Sequence, residues 1–211
     1  MPVRMPAATG NFAPPPEGTF IGICYRVIDL GTQETSYKGQ TKHQRLLLIS
    51  WEIPDEPMDD GRPFSISRRY TYSSSPKSNL RKDLESWRGK KFTDAEIEGF
   101  DVATLLGVGC MLNVAHAEKD GTTYANIGAI VRLPKGSKIP TMSNLSVALS
   151  LDDRPFDWAS FESLGERIQE VIKKAPEYER AIKDLPAQDE PPPASEADYG
   201  SNGMPDDDIP F

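Results

Sequence analysis

The densest group of chemically useful side chains in the sequence is a basic segment between Arg62 and Lys91. It holds nine Lys or Arg residues and only two acidic residues. Cationic side chains bind phosphate groups, and aromatic rings such as those of Tyr70 and Tyr72 stack against bases. Both kinds of contact are needed to hold a single nucleic-acid strand, so this composition favours that chemistry.

Candidate contacts for a single strand lie in and around the basic segment. Those within it are Arg68, Arg69, Tyr70, Tyr72, Lys77, Arg81, Arg88, Lys90 and Lys91. Those before it, in a connector between two predicted strands, are Tyr37, Lys38, Lys42 and Arg45. Lys135, after the last predicted strand, extends the set. Together they predict a surface that tracks phosphates and stacks bases.

Two interpretations of these residues stay open. Alternation along a strand puts Arg68, Tyr70 and Tyr72 on one face, which can be core at one end and binding surface at the other. The alternative is that both tyrosines are core residues. The cations from Lys77 to Lys91 lie on or after a predicted helix, where they either contact phosphates or form an ordinary solvated face.

Charge is distributed unevenly along the chain, whose formal net charge is −8. Residues 1–150 carry 18 Lys and Arg against 16 Asp and Glu, whereas residues 151–211 carry 6 against 16. The net charge therefore hides a basic segment beside an acidic C-terminal part. This asymmetry predicts that the tail occupies the basic surface when no strand is bound, and that removing residues 206–211 tightens strand binding at low salt.

The last residues of the sequence combine acidic and apolar side chains in a way that solvation alone does not explain. They are Asp206, Asp207, Asp208, Ile209, Pro210 and Phe211. A peptide ligand would place Phe211 in an apolar pocket, its α-carboxylate on an Arg or Lys, and the aspartates on a basic rim. The alternative is an ordinary acidic tail with two accidental apolar residues.

Five strands and two helices are predicted between residues 19 and 134. The strands are Phe20–Leu30, Leu46–Ile53, Phe64–Ser73, Cys110–Ala117 and Tyr124–Leu133. A helix after the third strand begins at Ser75 and buries Leu80, Leu84 and Trp87. A capping box at Thr93 opens a second, shorter helix.

This order of elements is that of an OB-fold, a five-stranded Greek-key barrel with a helix between its third and fourth strands. The predicted organisation is a disordered arm at residues 1–17, an OB-fold domain at 18–140, a helical extension at 141–185 and a disordered acidic tail at 186–211. Apolar residues at helical spacing predict one amphipathic helix over Asp157–Lys174, packed on the barrel.

The segment Asp-Asp-Asp-Ile-Pro-Phe at residues 206–211 resembles the C-terminal tip of bacterial single-stranded DNA-binding proteins (SSBs). This resemblance implies that Asp206–Phe211 docks replication, repair and recombination proteins. The preceding sequence resembles phage-encoded SSBs with an OB-fold. The segments that carry the second resemblance are Val27–Glu34, Lys77–Gly89, Asn113–His116, Tyr124–Ile127 and Leu133–Gly136. Together they imply a protein that coats and protects single-stranded DNA and recruits partners through its tip.

Other functions stay open beside this one. A strand-annealing recombination mediator would use the same surface. An interaction or inhibitor protein would occupy partner pockets with its tail and bind no DNA. An enzyme such as a nuclease is disfavoured, because the sequence holds no Walker A, H-E-x-x-H, C-x-x-C or serine-elbow motif. No cofactor or metal is expected, since neither His43 nor His116 has a partner at a metal-ligand spacing.

The remaining sequence features indicate the cellular compartment in which the protein is expected. Cys24 and Cys110 lie in apolar runs and are expected to be reduced core residues. Neither a signal peptide nor a bilayer-spanning run is recognisable. A cytoplasmic protein is therefore expected, in the host cytoplasm if it is phage-encoded, and a homo-oligomer is compatible with the sequence.

Overall fold

The computed structural model describes residues 14–37 and 39–183, which form a mainly β structure with five α-helices. The strands are β1 (Gly18–Tyr37), β2 (Gln40–Pro57), β3 (Pro63–Thr71), β4 (Gly109–Lys119), β5 (Thr122–Val131) and β6 (Val147–Leu149). The helices are α1 (Asn79–Arg88), α2 (Asp94–Glu98), α3 (Trp158–Glu162), α4 (Glu166–Lys173) and α5 (Pro176–Lys183), and a 3-10 turn spans Val102–Leu105. The predicted mainly β fold, with a helix between the third and fourth strands, is confirmed.

The strands form one open sheet in the order β3-β2-β1-β4-β5, and the short β6 pairs with β1. All pairs are antiparallel except β1 with β6. The pairing of β1 with β2 shifts register between Cys24 and Arg26 and again between Asp29 and Gly31. Such irregularities bend a strand, and here they lie in the strand at the centre of the sheet.

The main core lies on the inner face of the sheet and is closed by α1. Trp51 of β2 and Trp87 of α1 are buried, with ring centroids 5.7 Å apart. The indole N–H of Trp87 donates to the carbonyl of Gly109 at 3.0 Å. Leu80 and Leu84 share this core, so the buried helical face predicted from their spacing is confirmed.

Side-chain caps define where α1 and α2 begin. The amide of Ser78 donates to the carbonyl of Ser75 in a separate turn, and the Ser78 hydroxyl caps α1 by accepting from the Arg81 amide at 3.1 Å. The helix therefore begins after Ser78, later than the predicted start at Ser75. Thr93 and Glu96 form the predicted capping box at the start of α2, with hydrogen bonds of 3.2 and 2.9 Å.

A second core lies on the outer face of β1 and β2 and is covered by the C-terminal part of the described chain. Ile28 and Leu30 of β1 and Leu48 of β2 pack there against β6 and residues of the C-terminal helices. Leu47 and Ile49 of β2 face the main core instead. The apolar run in β2 is therefore explained by burial on both faces of the strand.

The single helix predicted over Asp157–Lys174 is wrong, because the structure has two helices there, α3 and α4. Gly165 separates them with an extended backbone, φ −62° and ψ 146°. The break lets Phe161 of α3 and Ile172 of α4 both enter the second core.

A buried carboxylate ties the second core to the central strand. Asp29, 3% exposed, accepts hydrogen bonds from the amides of Gly31 at 2.9 Å and Leu151 at 3.3 Å. It also forms an ion pair with Arg45, which pairs at 2.7 Å with Asp152 as well. A charge buried this deeply is tolerated because both of its oxygen atoms are hydrogen-bonded.

Candidate nucleic-acid interface

Arg69 and Lys77 meet in one cleft at the end of β3. Arg69 lies on the exposed face of the strand, and Lys77 is exposed in the turn before α1. The cleft has a volume of about 310 Å³ and is also lined by Tyr70, Thr71, Ser78 and Asn79. Among the described residues neither Arg69 nor Lys77 forms an ion pair, so both cations are available to an anionic ligand.

Tyr72 follows Thr71 in the chain and is half-exposed. The accessible fraction of the residue is 40%. The Arg45 guanidinium lies 5.7 Å from the centroid of the ring. The ring borders a cavity of about 360 Å³ whose apolar wall includes Leu80 and Phe100. An aromatic ring that is fixed in position and borders a cavity offers a surface on which a base can stack.

Arg45 holds Tyr72 in place instead of serving as the predicted phosphate contact. Its guanidinium bonds to Asp29 and Asp152, and the hydrogen bond to Asp29 raises the pKa of Arg45 above its usual range. Burial, followed by the negative charge of Asp29, raises the pKa of the Tyr72 phenol. The ring is therefore neutral at physiological pH, which suits stacking.

Tyr70 is buried against α1, which corrects the prediction that it contacts the strand, whereas the Arg68 side chain keeps 30% of its surface exposed and its contact with a strand stays a prediction. Tyr70 is 3% exposed, and its hydroxyl donates to the carboxylate of Asp83 on α1 at 2.9 Å. Arg68 pairs with the same carboxylate at 3.0 Å, and its guanidinium lies 5.4 Å from the Tyr70 ring centroid. Strand alternation gives both residues the inner face, against which α1 packs.

Arg81 is a buried structural residue, contrary to the prediction that it contacts phosphate. Its guanidinium donates to Glu85 at 3.0 Å, Asp94 at 2.9 Å and the carbonyls of Ser74 at 3.1 Å and Phe92 at 2.8 Å. Only 7% of the residue is exposed. Its donors are used to join the β3–α1 loop, α1 and the start of α2.

A second group of cations lies at the other end of α1. The Arg88 guanidinium is 4.5 Å from the Phe92 ring centroid and pairs with Glu96 at 2.9 Å. Lys90, 3.9 Å from the same carboxylate, and Lys91 are exposed. The hydrogen bond from Arg88 is the largest influence that lowers the pKa of Glu96, to about 2. The structure therefore divides the basic segment into two exposed groups, one at each end of α1.

Of the predicted contacts in the connector, the described residue Lys42 is not brought to the Arg69–Lys77 cleft. The side chain of Tyr37 and the whole of Lys38 lie outside the described residues. Lys42 is exposed on β2, four residues before Leu46, which pairs with Thr71 at the end of β3. At about 3.3 Å per residue, Lys42 is about 13 Å beyond the end of β3. Lys135 is exposed after β5.

Two exposed residues were missed in the sequence. Arg132 follows β5 and lies against Gly89, where a Cβ atom would come within 2.9 Å of its Cδ. Gly89 ends α1 in the left-handed conformation, φ 72°, and leaves that space free. Tyr124, in the β4–β5 hairpin, is 51% exposed. Tyr124 lies beside the polar hairpin turn, but Arg132 stands between Val131 and Leu133, and neither local context shows which surfaces meet.

Asp206–Phe211, the predicted partner-docking segment, lies outside the described residues. No helix within residues 14–37 and 39–183 is long and apolar enough to cross a membrane.

The described chain is thus a mainly β protein with an exposed cationic cleft at the end of β3 and a half-exposed tyrosine directly after that strand. No protein-family model matches the chain, and no curated protein matches it.

Proposed function

We propose that this protein binds single-stranded DNA and has no enzymatic role, coating and protecting the strand during replication, recombination and repair. The observation that carries the proposal is the Arg69–Lys77 cleft at the end of β3, whose two cations form no ion pair with any described residue. The half-exposed ring of Tyr72 follows Thr71 of this cleft in the chain and borders a separate cavity. Cations and a stacking ring at the end of one strand are the two contacts that single-strand binding requires.

We further propose that the sheet is an OB-fold barrel, the architecture implied by the order of its elements. The strand order β3-β2-β1-β4-β5 leaves β3 and β5 as the two edges that such a barrel brings together. Helix α1 reaches both edges. Its Ser86 hydroxyl donates to the Ile130 carbonyl of β5 at 2.6 Å, and its Asp83 carboxylate accepts from Tyr70 of β3. This bridging supports closure of the barrel around α1.

In this function the strand passes the end of β3 with a phosphate between Arg69 and Lys77 and a neighbouring base against Tyr72. Both contacts are to parts that all nucleotides share, so binding is largely independent of sequence. The cationic contacts release counterions when DNA binds, so affinity falls as salt rises.

Partner recruitment belongs to Asp206–Phe211 in this proposal, on the strength of its resemblance to the bacterial SSB tip. Its aromatic residue and aspartates suit an apolar pocket with a basic rim on replication, repair or recombination proteins. The expected setting is the cytoplasm, in the host cell for a bacteriophage protein.

The direct test is fluorescence anisotropy with labelled oligo-dT and with a duplex of the same length, each over a salt series. The proposal expects tight binding to oligo-dT that weakens with salt, and much weaker binding to the duplex. Equal affinity for the two would mean that the cleft binds phosphates without selecting single strands. No binding to either at low salt would reject the proposal and favour an interaction or inhibitor protein that acts through its tail.

A further inference from the structure

An apolar cavity lies towards the other end of α1 from the Arg69–Lys77 cleft. Its volume is about 450 Å³. Its apolar wall is formed by Trp87, Phe92, Phe100, Leu105, Val108 and Leu133. The indole N–H of Trp87 is already bonded to the Gly109 carbonyl, and Val108 is 41% exposed. The cavity is open to solvent and offers an apolar group a place to bind.

The mouth of this cavity is cationic. Arg88 and Arg132 line it and are exposed, and Lys90 and Lys91 follow Arg88 on the surface. Arg88 is paired with Glu96, whereas Arg132 forms no ion pair with any described residue. An apolar hole with a positive rim suits a ligand that has an apolar anchor and negative neighbours.

A nucleobase is a poor occupant because its polar edge would be left without hydrogen-bond partners against these walls. An aromatic or aliphatic side chain carries no such penalty. The chemistry of the cavity therefore selects a peptide, with acidic residues next to large apolar ones.

One segment of this chain has that chemistry. Asp206, Asp207 and Asp208 are followed by Ile209 and Phe211, and all of them lie outside the described residues. We propose that the cavity is the binding site for the chain's own Asp206–Phe211, docked within the same molecule. Phe211 or Ile209 would fill the apolar hole, and the aspartates would meet Arg132 and Arg88.

The length of the intervening chain suits docking within one molecule. Helix α5 ends at Lys183 and is held at Thr32 of β1 through Glu177. Gly109, which lines the cavity, pairs with Ile23 of β1. Thr32 is nine positions after Ile23 along β1, which corresponds to about 30 Å.

A coil of 22 residues, the number between Lys183 and Asp206, has an average end-to-end distance of about 23–28 Å. Fully extended, the same number of residues spans about 73 Å. A tether whose average length is close to the span gives a high effective concentration, so the segment of the same molecule is favoured over that of another.

Docking here would leave the Arg69–Lys77 cleft free, whereas the cavity that Tyr72 borders shares Leu84 and Phe100 with the peptide cavity. Asn79 in the cleft and Arg88 at the cavity mouth lie at opposite ends of α1, about 14 Å apart, and Leu84 of the cavity wall lies midway between them. The exposed cations around α1 then have two tasks: Arg69 and Lys77 hold the strand, and Arg88 and Arg132 hold the peptide. Only the first task rests on the proposed function. The second task conflicts with the sequence-based prediction that the tail covers the strand-binding surface.

The test uses a fluorescent peptide with the sequence of residues 204–211. It is titrated into the full chain and into a variant lacking Asp206–Phe211. The shortened variant should bind the peptide, and the full chain should bind it about tenfold more weakly or worse, because its own segment competes at a high effective concentration. A peptide that binds neither protein, or both equally, would overturn the proposal.

Variants of the shortened protein locate the binding. Arg132→Glu and Val108→Glu each change an exposed residue at the mouth, and circular dichroism checks that they fold. Each variant should weaken peptide binding about tenfold or more. Each should weaken oligo-dT binding clearly less than it weakens peptide binding. A peptide with Phe211→Ala should lose about 30-fold or more.

Lys77→Ala is the matched control at the opposite end of α1. It should leave peptide binding unchanged, whatever its effect on oligo-dT. Peptide binding that is weakened by Lys77→Ala would place the peptide in the cleft and not in the cavity, and this result would overturn the proposal. If oligo-dT does not bind at all, the proposed function fails while the peptide titrations still decide the docking.

Discussion

Glu177 of α5 accepts two hydrogen bonds of 2.8 Å from a single residue of the central strand, Thr32, one from its amide and one from its hydroxyl. Glu177 is 6% exposed although it is an acidic residue in a short surface helix. The two residues are 145 positions apart in the chain. This contact therefore joins the last described helix to the middle of the sheet.

Replacing Glu177 with Ala is expected to lower the free energy of unfolding by about 1–3 kcal/mol, because the Thr32 amide and hydroxyl lose a charged acceptor. Urea unfolding followed by tryptophan fluorescence measures the change. Glu179→Ala is the control, since Glu179 is exposed on the same helix. Equal midpoints for the two variants would contradict the importance of the contact.

The contribution of Glu177 should also depend on pH. Burial by itself would raise the pKa of this carboxyl, but the hydrogen bonds from Thr32 outweigh burial and the net pKa is lowered. A lowered pKa in the folded state means that the stabilisation is complete above the unfolded value of about 4.3 and is lost as pH falls through the folded value. The difference between wild type and Glu177→Ala should therefore be constant from pH 7 to 5 and shrink in stronger acid. A difference that grows on acidification would refute this assignment.

The Arg69–Lys77 cleft makes a quantitative prediction about salt. If each cation contacts one phosphate, the double variant Arg69→Ala/Lys77→Ala should reduce the slope of log K against log salt by about 1.4 for a single strand. Its oligo-dT affinity should fall at low salt. Lys174→Ala, at the end of α4, is the control for removing an exposed cation elsewhere. An unchanged slope would show that the strand does not cross this cleft.

Tyr72 and Tyr70 should respond differently to substitution. Tyr72→Ala removes the exposed ring and is expected to weaken oligo-dT binding by about 1–3 kcal/mol, or about 5- to 150-fold. Tyr70→Phe removes only the hydrogen bond to Asp83, so it should lower stability by about 1 kcal/mol and leave DNA affinity unchanged. Anisotropy and urea unfolding of the same samples separate the two effects. A loss of affinity in Tyr70→Phe alone would reverse the assignment.

Local sequence patterns predicted the secondary-structure elements better than they predicted which residues are exposed on the surface. The spacing of Leu80, Leu84 and Trp87 identified the buried face of α1, because that face repeats within one helix. Alternation also separated Arg68 from Arg69 correctly. It did not show which of the two meets water, since that depends on where α1 packs.

Arg81 shows the same limit within the helix. It lies beside the apolar stripe, and Glu85 at the i+4 position is a partner that the sequence does display. The other acceptors come from the β3–α1 loop and from α2, up to 13 residues away. Short-range periodicity does not encode such convergence, so an arginine that looked exposed is buried.

The two cysteines should be chemically silent in the folded protein. Burial raises the pKa of the Cys24 thiol to about 12 and also raises that of Cys110. A thiol reacts as its thiolate, and at pH 8 very little of either cysteine is in the thiolate form when its pKa is raised in this way. A disulfide-exchange reagent such as DTNB should label neither residue in native buffer at pH 8 and both in denaturant. Rapid labelling of the native protein would mean that the core around β1 and β4 opens.

Strands β1 and β2 are buried on both faces, and this limits how far the chain can be shortened. Ile28, Leu30 and Leu48 are shielded from water by segments that follow residue 146. A protein cut at Pro140 would keep every strand from β1 to β5 and still expose these side chains. Such a fragment is expected to aggregate, so the smallest soluble form of this protein should extend through Lys183.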